Sequence, residues 1–179
     1  LVLPADHQPY WKMLCREIGC QVEHRIVAGG ETRFHSVRNG LEAIRGEIEQ
    51  DAENVLIAVH DGVRPFVSTK VITACFEQAS IKGAVVPVLP VVDSLREVDA
   101  QGKSKAVDRS RYYAVHTPQA FQADLLLRAY SQDYSPLFTD DASVVEATGV
   151  PVSTVPSNPE NIKITTPLDL VIAKALLGE

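Results

Sequence analysis

An apolar stretch that ends abruptly in charged residues constrains the fold of this chain more than any other feature. Residues 55–66 read VLIAVHDGVRPF, in which five apolar residues are soon followed by Asp61 and Arg64. A continuous apolar run of this length predicts a strand buried on both faces of a parallel sheet. In open α/β sheets, ligands bind beyond the carboxyl ends of such strands. Asp61 and Arg64 are therefore candidates for contacting a metal ion and a phosphate, with an ordinary surface ion pair as the alternative.

The composition predicts a globular protein that binds neither nucleic acid nor membrane. Of the 179 residues, 45% are hydrophobic and 22% are charged, which is typical of a folded domain. The 23 acidic residues outnumber the 17 basic ones, and the net charge of −6 argues against broad nucleic-acid binding. The apolar runs are far shorter than a membrane span and no signal peptide precedes them, so we expect a cytoplasmic location.

The three cysteines form no recognisable metal or redox motif. Cys15, Cys20 and His24 could be drawn as zinc ligands, but their spacing matches no zinc pattern and a fourth ligand is missing. Cys75 is distant in sequence. We expect all three thiols to have structural roles.

Strand and helix patterns alternate along most of the chain. Strands are predicted for residues 1–3, 21–27, 55–59, 84–88, 112–119, 150–155 and 161–164. Helices are predicted for residues 9–18, 32–48, 69–80, 122–130, 140–148 and 167–177. We therefore predict an α/β fold with a mostly parallel sheet and helices on both faces, forming a single domain over residues 1–179.

A polar segment, residues 93–109, interrupts this alternation. Its sequence, DSLREVDAQGKSKAVDR, has a turn signal at residues 100–103, and the residues on either side are spaced as in a β-hairpin. The segment is too polar for a core position. We predict that it projects from the domain as an arm, with a disordered loop as the alternative.

Further polar clusters lie at predicted strand ends, in loops or in the final strand. They are Gly29-Gly30-Glu31-Thr32-Arg33 with Ser36, Asp93-Ser94, Asp108-Arg109 with Thr117, and Lys163. Taken together, Arg64, Arg109 and Lys163 would surround Asp61 with positive charge in an otherwise acidic protein. Phosphoryl or nucleotidyl transfer needs such a set, because fixed cations and a carboxylate-held metal neutralise the charge on phosphate oxygens.

Six motifs occur in an order that is known from one enzyme family. They are GGETRFHSVRNGL, VHDGVRPF, PVVDSL, VDRSRYYAVHTPQAF, TDDASVVE and NIKITTPLDL. They cover essentially the whole chain, which resembles the 2-C-methyl-D-erythritol 4-phosphate cytidylyltransferase family. The resemblance implies a Rossmann-like nucleotidyltransferase that joins CTP to a sugar-alcohol phosphate in isoprenoid precursor biosynthesis. It also implies a homodimer formed through the arm of residues 93–109.

The same resemblance implies roles for individual residues. Nucleotide-binding roles are implied for Gly29, Gly30, Glu31, Ser36, Gly62 and Lys163. Substrate-binding roles are implied for Asp61, Arg64, Ser94, Arg109 and Thr117. Asp61, Arg64 and Lys163 are the implied catalytic residues, and Asp61 is the implied ligand of Mg²⁺ or another divalent cation. Two positions depart from the pattern, since Glu31 replaces a frequent Asp and His116 replaces the usual Gln.

The family's first strand and its Gly-rich loop, which carries a catalytic Arg and Lys, do not occur in this sequence. By the usual lengths of such units, we expect roughly fifty residues of the family pattern to precede Leu1. Either the molecule contains them, or the chain is a truncated, non-catalytic module for nucleotide binding and dimerisation.

Two other enzyme classes are alternatives. A ribitol-5-phosphate cytidylyltransferase shares the HD-x-x-RP element, although the VDRS and PVVDSL motifs favour the methylerythritol enzymes. A glycosyltransferase would use Asp140-Asp141 as a metal motif, but the sequence there predicts a helix N-terminus.

Overall fold

Strands and helices alternate along the chain, which confirms the α/β class. The computed structural model describes residues 1–48, 51–52 and 54–178. The strands are β1 (Val2–Leu3), β2 (Val27–Ala28), β3 (Leu56–Val59), β4 (Ala84–Pro90), β5 (Arg96–Val98), β6 (Ser104–Ala106), β7 (Tyr113–Val115), β8 (Gln119–Gln122) and β9 (Ser153–Pro156). The helices are α1 (Gln8–Glu17), α2 (Arg33–Ile48), α3 (Thr69–Lys82), α4 (Ala123–Ala129), α5 (Asp141–Glu146) and α6 (Pro167–Leu177).

The chain forms two compact units. The first comprises residues 1–57 and 121–151, and the second comprises residues 58–120 and 152–179. The expectation of one domain over residues 1–179 stays a prediction. In the described part of either unit, no helix is both long enough and apolar enough to cross a bilayer.

A parallel strand pair and a buried aromatic cluster characterise the first unit. β1 pairs in parallel with β2, with Val2 opposite Val27, and α2 packs against both strands. Phe34 of α2 is only 3% exposed. Its ring stacks on Tyr130 and Phe138 at centroid distances of 4.9 and 5.6 Å. These contacts fix the N-terminal turn of α2, which directly follows the glycine pair.

A buried carboxylate lies beside this cluster. Asp141, in the first turn of α5, has no solvent exposure. Its Oδ2 is 2.6 Å from Nη2 of Arg33, and the Tyr130 hydroxyl donates to its Oδ1 at 2.5 Å. Burial, followed by the Asp141 charge, raises the pKa of Tyr130 far above its ordinary value. Asp140 caps the helix by accepting from the Ser143 amide, as predicted for a helix N-terminus.

A five-stranded mixed sheet includes β4, β7 and β9 of the second unit. Its strand order is β3-β8-β4-β7, and β9 also pairs with β4. β4, buried from Ala84 to Val88, is parallel to β9 but antiparallel to β7. The prediction of a mostly parallel sheet is therefore not confirmed. An antiparallel neighbour needs no helical crossover, and the chain returns from β4 to β7 through the hairpin segment instead.

Several predicted strand boundaries or burial patterns are wrong. β3 is half-buried along its length rather than buried on both faces. The predicted strand 112–119 is broken into β7 and β8 around Pro118, which has no amide N–H for a ladder.

The other two corrections concern short segments. The predicted strand 21–27 is reduced to β2, since β1 offers only two residues for pairing. Residues 161–164 form no strand, because their backbone groups bond to loops. Ile164 N donates to Val63 O, and Asn161 O accepts from Arg64 Nη1.

The polar segment 93–109 forms the predicted hairpin. β5 and β6 are antiparallel, with Glu97 opposite Lys105, and these two side chains form an ion pair at 2.9 Å. Gly102 in the turn has φ +79°, a conformation that glycine adopts without strain. Every residue of β5 and β6 is exposed. The hairpin is therefore held by its own backbone ladder rather than by a core.

We expect Asp141→Asn to lower the free energy of unfolding by about 2 kcal/mol. Removing one partner of a buried ion pair leaves the other charge uncompensated, although the one-third exposure of Arg33 moderates the loss. Urea denaturation followed by circular dichroism measures it. The exposed Asp133 provides the matched control, and Asp133→Asn should change stability by less than about 0.5 kcal/mol. Equal effects of the two variants would contradict the proposed importance of the buried pair.

Candidate active site

Three of the predicted site residues meet at one carboxylate in the second unit. Asp61 follows β3 in a turn closed by a hydrogen bond of 3.0 Å from Arg64 N to Asp61 O. Lys163 Nζ lies 3.0 Å from Asp61 Oδ2, and Arg64 Nε lies 3.6 Å from the same oxygen. The Asp61 and Arg64 side chains are mostly buried, whereas that of Lys163 is 46% exposed. Two cations thus contact one anion, and the group carries a net positive charge.

A buried asparagine supports this group. Asn161 has no solvent exposure, and its backbone oxygen accepts a hydrogen bond from Arg64 Nη1 at 2.7 Å. Its side-chain Nδ2 donates to Thr117 O at 2.8 Å. Sequence reasoning missed Asn161, although it opens the NIKITTPLDL motif that supplied Lys163. Its position two residues before Lys163 was the available signal.

Two buried polar atoms in this group lack hydrogen-bond partners. They are Nε of Arg64 and Oδ1 of Asn161. The distance from Arg64 Nε to Asp61 is that of an ion pair rather than a hydrogen bond. Buried polar groups in folded proteins are nearly always hydrogen-bonded, so exceptions call for an explanation such as a catalytic role or a bound ion.

Thr117 and His60 hold the backbone of the same turn. The Thr117 hydroxyl oxygen accepts from Asp61 N at 3.0 Å and lies 2.9 Å from His60 Nδ1. The other ring nitrogen of His60 is 3.0 Å from Arg64 O. Thr117 is a predicted site residue. His60 is not, because a lone histidine beside an aspartate gives no distinctive signal.

His116, which replaces the usual Gln of the resembled family, directly precedes Thr117. Its Nδ1 is 2.9 Å from Ser157 Oγ, and the residue is 9% exposed. Burial and, secondarily, the Arg64 charge lower the pKa of His116 below its ordinary value. Both effects favour the neutral form of the His116 imidazole.

The glycine pair of the first unit forms a tight entry to α2. Gly29 N donates to Leu3 O at 2.8 Å, and Gly30 N donates to Ser36 Oγ at 3.0 Å. A Cβ at position 30 would lie only 2.4 Å from Cβ of His35. Gly30 is thus required for this close approach, and Glu31 beside it is exposed. The predicted nucleotide-binding residues 29–31 and 36 lie within one short segment of this unit, in which Gly30 and Ser36 are hydrogen-bonded.

The remaining predicted residues are exposed. Gly62 lies inside the Asp61–Arg64 turn, with open space where a side chain would be. Ser94 and Arg109 flank the hairpin, and Arg109 Nη1 donates to Val92 O. Ser94 and Arg109 thus lie at the hairpin, whereas Arg64 and Lys163 contact Asp61.

Asp61 can serve as one ligand of a magnesium ion. Within the ranges that the structure describes, no group of three His, Cys, Asp or Glu side chains could hold a metal ion by itself. Mg²⁺ at nucleotide sites is commonly bound through one or two carboxylates together with substrate phosphates. A single, mostly buried carboxylate fits that mode, so Asp61 is compatible with a metal ion that is also held by a nucleotide.

Several proteins that this chain resembles in sequence share one family name. A family model described as IspD, 2-C-methyl-D-erythritol 4-phosphate cytidylyltransferase, matches residues 1–179. The proteins of that name from Bacteroides fragilis and Porphyromonas gingivalis are each 54% identical to the chain, over 177 and 178 residues. Both alignments cover 99% of this chain and 77% of the relative.

Solved structures give the same result. The 4-diphosphocytidyl-2C-methyl-D-erythritol synthase of Anaerococcus prevotii has a TM-score of 0.82 at 28% identity, covering 100% of this chain and 78% of that one. The 2-C-methyl-D-erythritol 4-phosphate cytidylyltransferase of Thermus thermophilus has a TM-score of 0.72 at 35% identity, covering 89% and 79%. Sequence and structure together show that the chain belongs to the 2-C-methyl-D-erythritol 4-phosphate cytidylyltransferase family.

Proposed function

We propose that this protein is a nucleotidyltransferase that moves the cytidylyl group of CTP onto 2-C-methyl-D-erythritol 4-phosphate. The products are CDP-methylerythritol and pyrophosphate, as required in isoprenoid precursor biosynthesis. The observation that carries the proposal is the convergence of Lys163 and Arg64 on the Asp61 carboxylate. Phosphoryl chemistry depends on such fixed charges.

The reaction needs charge neutralisation more than proton transfer. An ionised phosphate oxygen of the alcohol phosphate attacks the α-phosphorus of CTP, and the bond from that phosphorus to the bridging oxygen breaks. The nucleophile is already deprotonated at neutral pH, so no strong general base is required. Catalysis then rests on positioning and on compensation of the charge spread over the phosphate oxygens.

Three residues provide this positioning and charge compensation: Lys163, Arg64 and Asp61. Lys163 is the most exposed of the three and can turn its ammonium group toward a phosphate while staying near Asp61. Arg64 is fixed by Asn161 O and has a donor, Nε, without a hydrogen-bond partner. Asp61 keeps both cations in place before the nucleotide arrives.

The proposed cofactor is Mg²⁺ or another divalent cation that arrives with CTP. When bound, it would neutralise triphosphate charge and orient the α-phosphorus, and Asp61 is the residue of this chain that would hold it. Lys163 and Arg64 contact the Asp61 carboxylate and fix its orientation.

Nucleotide recognition is proposed for the first unit. The Gly29-Gly30 turn brings the backbone close to the start of α2, where Glu31 and Ser36 are the proposed polar partners for a base or a ribose. In the second unit, Gly62 and Lys163 are the proposed nucleotide contacts.

Substrate recognition and dimerisation are proposed for the hairpin region. Ser94, Arg109 and Thr117 are the proposed contacts of the alcohol phosphate, in addition to Asp61 and Arg64. The hairpin of residues 93–109 is the proposed dimerisation arm, and its full exposure supports that role. The proposed location of the protein is the cytoplasm.

Release of pyrophosphate tests the proposed function. With CTP and Mg²⁺ present, we expect faster turnover on 2-C-methyl-D-erythritol 4-phosphate than on ribitol 5-phosphate. The reverse preference would favour the ribitol enzyme. Binding of CTP without turnover on either alcohol phosphate would favour a non-catalytic module.

We expect Asp61→Asn to lower kcat by about 100-fold, because an amide cannot hold two cations in place. Circular dichroism should show an unchanged fold. The control is Asp124→Asn, which breaks the 3.1 Å ion pair with Arg128 on α4 and should alter kcat by less than about twofold. Unchanged turnover in Asp61→Asn would remove Asp61 from the reaction.

We expect Gly30→Ala to weaken CTP binding roughly tenfold, which is about 1.4 kcal/mol, because its new methyl group would collide with His35. Isothermal titration calorimetry with CTP measures the change. Gly46→Ala, within α2, meets no atom within 4 Å, so it should leave the Kd unchanged and stabilise α2 by about 1 kcal/mol. A Gly30→Ala protein with native affinity would show that this turn does not bind the nucleotide.

A further inference from the structure

His60 connects two separate parts of the second unit through its two ring nitrogens. Nε2 lies 3.0 Å from the backbone oxygen of Arg64, and Nδ1 lies 2.9 Å from the hydroxyl of Thr117. Thr117 is 5% exposed, whereas His60 is exposed. The imidazole thus lies over a buried hydroxyl group without being part of the core.

The direction of these hydrogen bonds follows from the chemistry of the groups. Arg64 O can only accept, so Nε2 of a neutral His60 ring carries the proton and donates it. Nδ1 is then an acceptor, and the Thr117 hydroxyl donates to it. The Thr117 oxygen in turn accepts from Asp61 N at 3.0 Å. One continuous chain of hydrogen bonds therefore runs from Asp61 N through Thr117 and His60 to Arg64 O.

This chain closes a ring around the catalytic turn. Arg64 N donates to Asp61 O within the turn, so the hydrogen bonds through Thr117 and His60 restrain both of its ends. Asn161 anchors the other side, since its Nδ2 donates to Thr117 O and its own carbonyl accepts from Arg64. The separation between Asp61 and the Arg64 guanidinium depends on this ring.

We propose that His60 is a positioning residue for cytidylyl transfer. It acts through Thr117 and the Arg64 carbonyl, which together fix the backbone that presents the Asp61 carboxylate and the Arg64 guanidinium. The inference rests on the proposed function, because it assigns His60 to the same reaction. Misplacing a reacting group by about 1 Å can cost about 100-fold in rate, so a residue without substrate contact can matter this much.

Three variants separate the two hydrogen bonds. His60→Leu removes both, His60→Asn retains an acceptor near the Nδ1 position, and His60→Gln retains a donor near the Nε2 position. We expect His60→Leu to lower kcat by at least about tenfold while the KM for CTP changes less than about twofold. His60→Asn and His60→Gln should each recover at least about threefold of the lost kcat.

The stability of these variants distinguishes positioning from general structural support. His60 is exposed, so His60→Leu should unfold at nearly the same urea concentration as the wild type. The control is His7→Leu, at an exposed histidine of the Ala5–His7 helix, with no expected change in kcat. A loss of kcat that is matched by a loss of stability, without recovery in either polar variant, would overturn the proposal.

A double-mutant cycle with Thr117→Val tests the route of the effect. If His60 acts through the Thr117 hydroxyl, the double variant should lose about as much kcat as the more impaired single variant. If the fold-losses in kcat of the two single variants multiply in the double variant, the two residues act independently, and the route through Thr117 would be overturned. Unchanged kcat in His60→Leu would overturn the proposal as a whole.

Nitrogen-15 NMR of the imidazole in the ligand-free protein provides a readout that does not depend on activity. We expect the His60 proton on Nε2, and a proton on Nδ1 alone would overturn the hydrogen-bond arrangement. A wild-type protein that releases no pyrophosphate with either alcohol phosphate would instead refute the proposed function. The NMR result would in that case still test the hydrogen-bond arrangement of His60.

Discussion

The candidate site depends on the electrostatic balance at the Asp61 carboxylate. Lys163 and Arg64 approach the same oxygen, so the removal of either partner would leave a mostly buried charge poorly compensated. This arrangement keeps two cations close together in the absence of a ligand, where they would otherwise repel each other. Thr117 accepts a hydrogen bond from the backbone of Asp61, and Asn161 accepts one from the Arg64 guanidinium, so both charged groups are held in place.

Several local features could be predicted from the sequence. The last helix was predicted for residues 167–177, and the structure shows it over Pro167–Leu177 with a full capping box between Thr166 and Asp169. The hairpin at residues 93–109 was recognisable from its central turn and flanking alternation. The combined charges predicted Arg64, Arg109 and Lys163 around Asp61. Arg64 and Lys163 contact Asp61, whereas Arg109 Nη1 donates to Val92 O beside the hairpin.

Long-range pairing was the part that could not be predicted. Residues 161–164 have the composition of a strand, yet Asn161 and Ile164 bond to loop residues far away in sequence. The antiparallel partner of β4 depends on the path that the chain takes through the hairpin segment, which periodicity does not encode. His60 was missed for the same reason, since its partner Thr117 is 57 positions away.

The buried Tyr130–Asp141 contact gives the first unit a weakness at alkaline pH. The raised pKa of Tyr130 means that folding favours its neutral form, relative to an ordinary value of 10.0. The stabilisation is complete below that pH and declines as the pH rises, because only the unfolded chain can release the proton. Base should therefore open the aromatic cluster around Phe34, and the ultraviolet absorbance of a newly formed tyrosinate would report that opening.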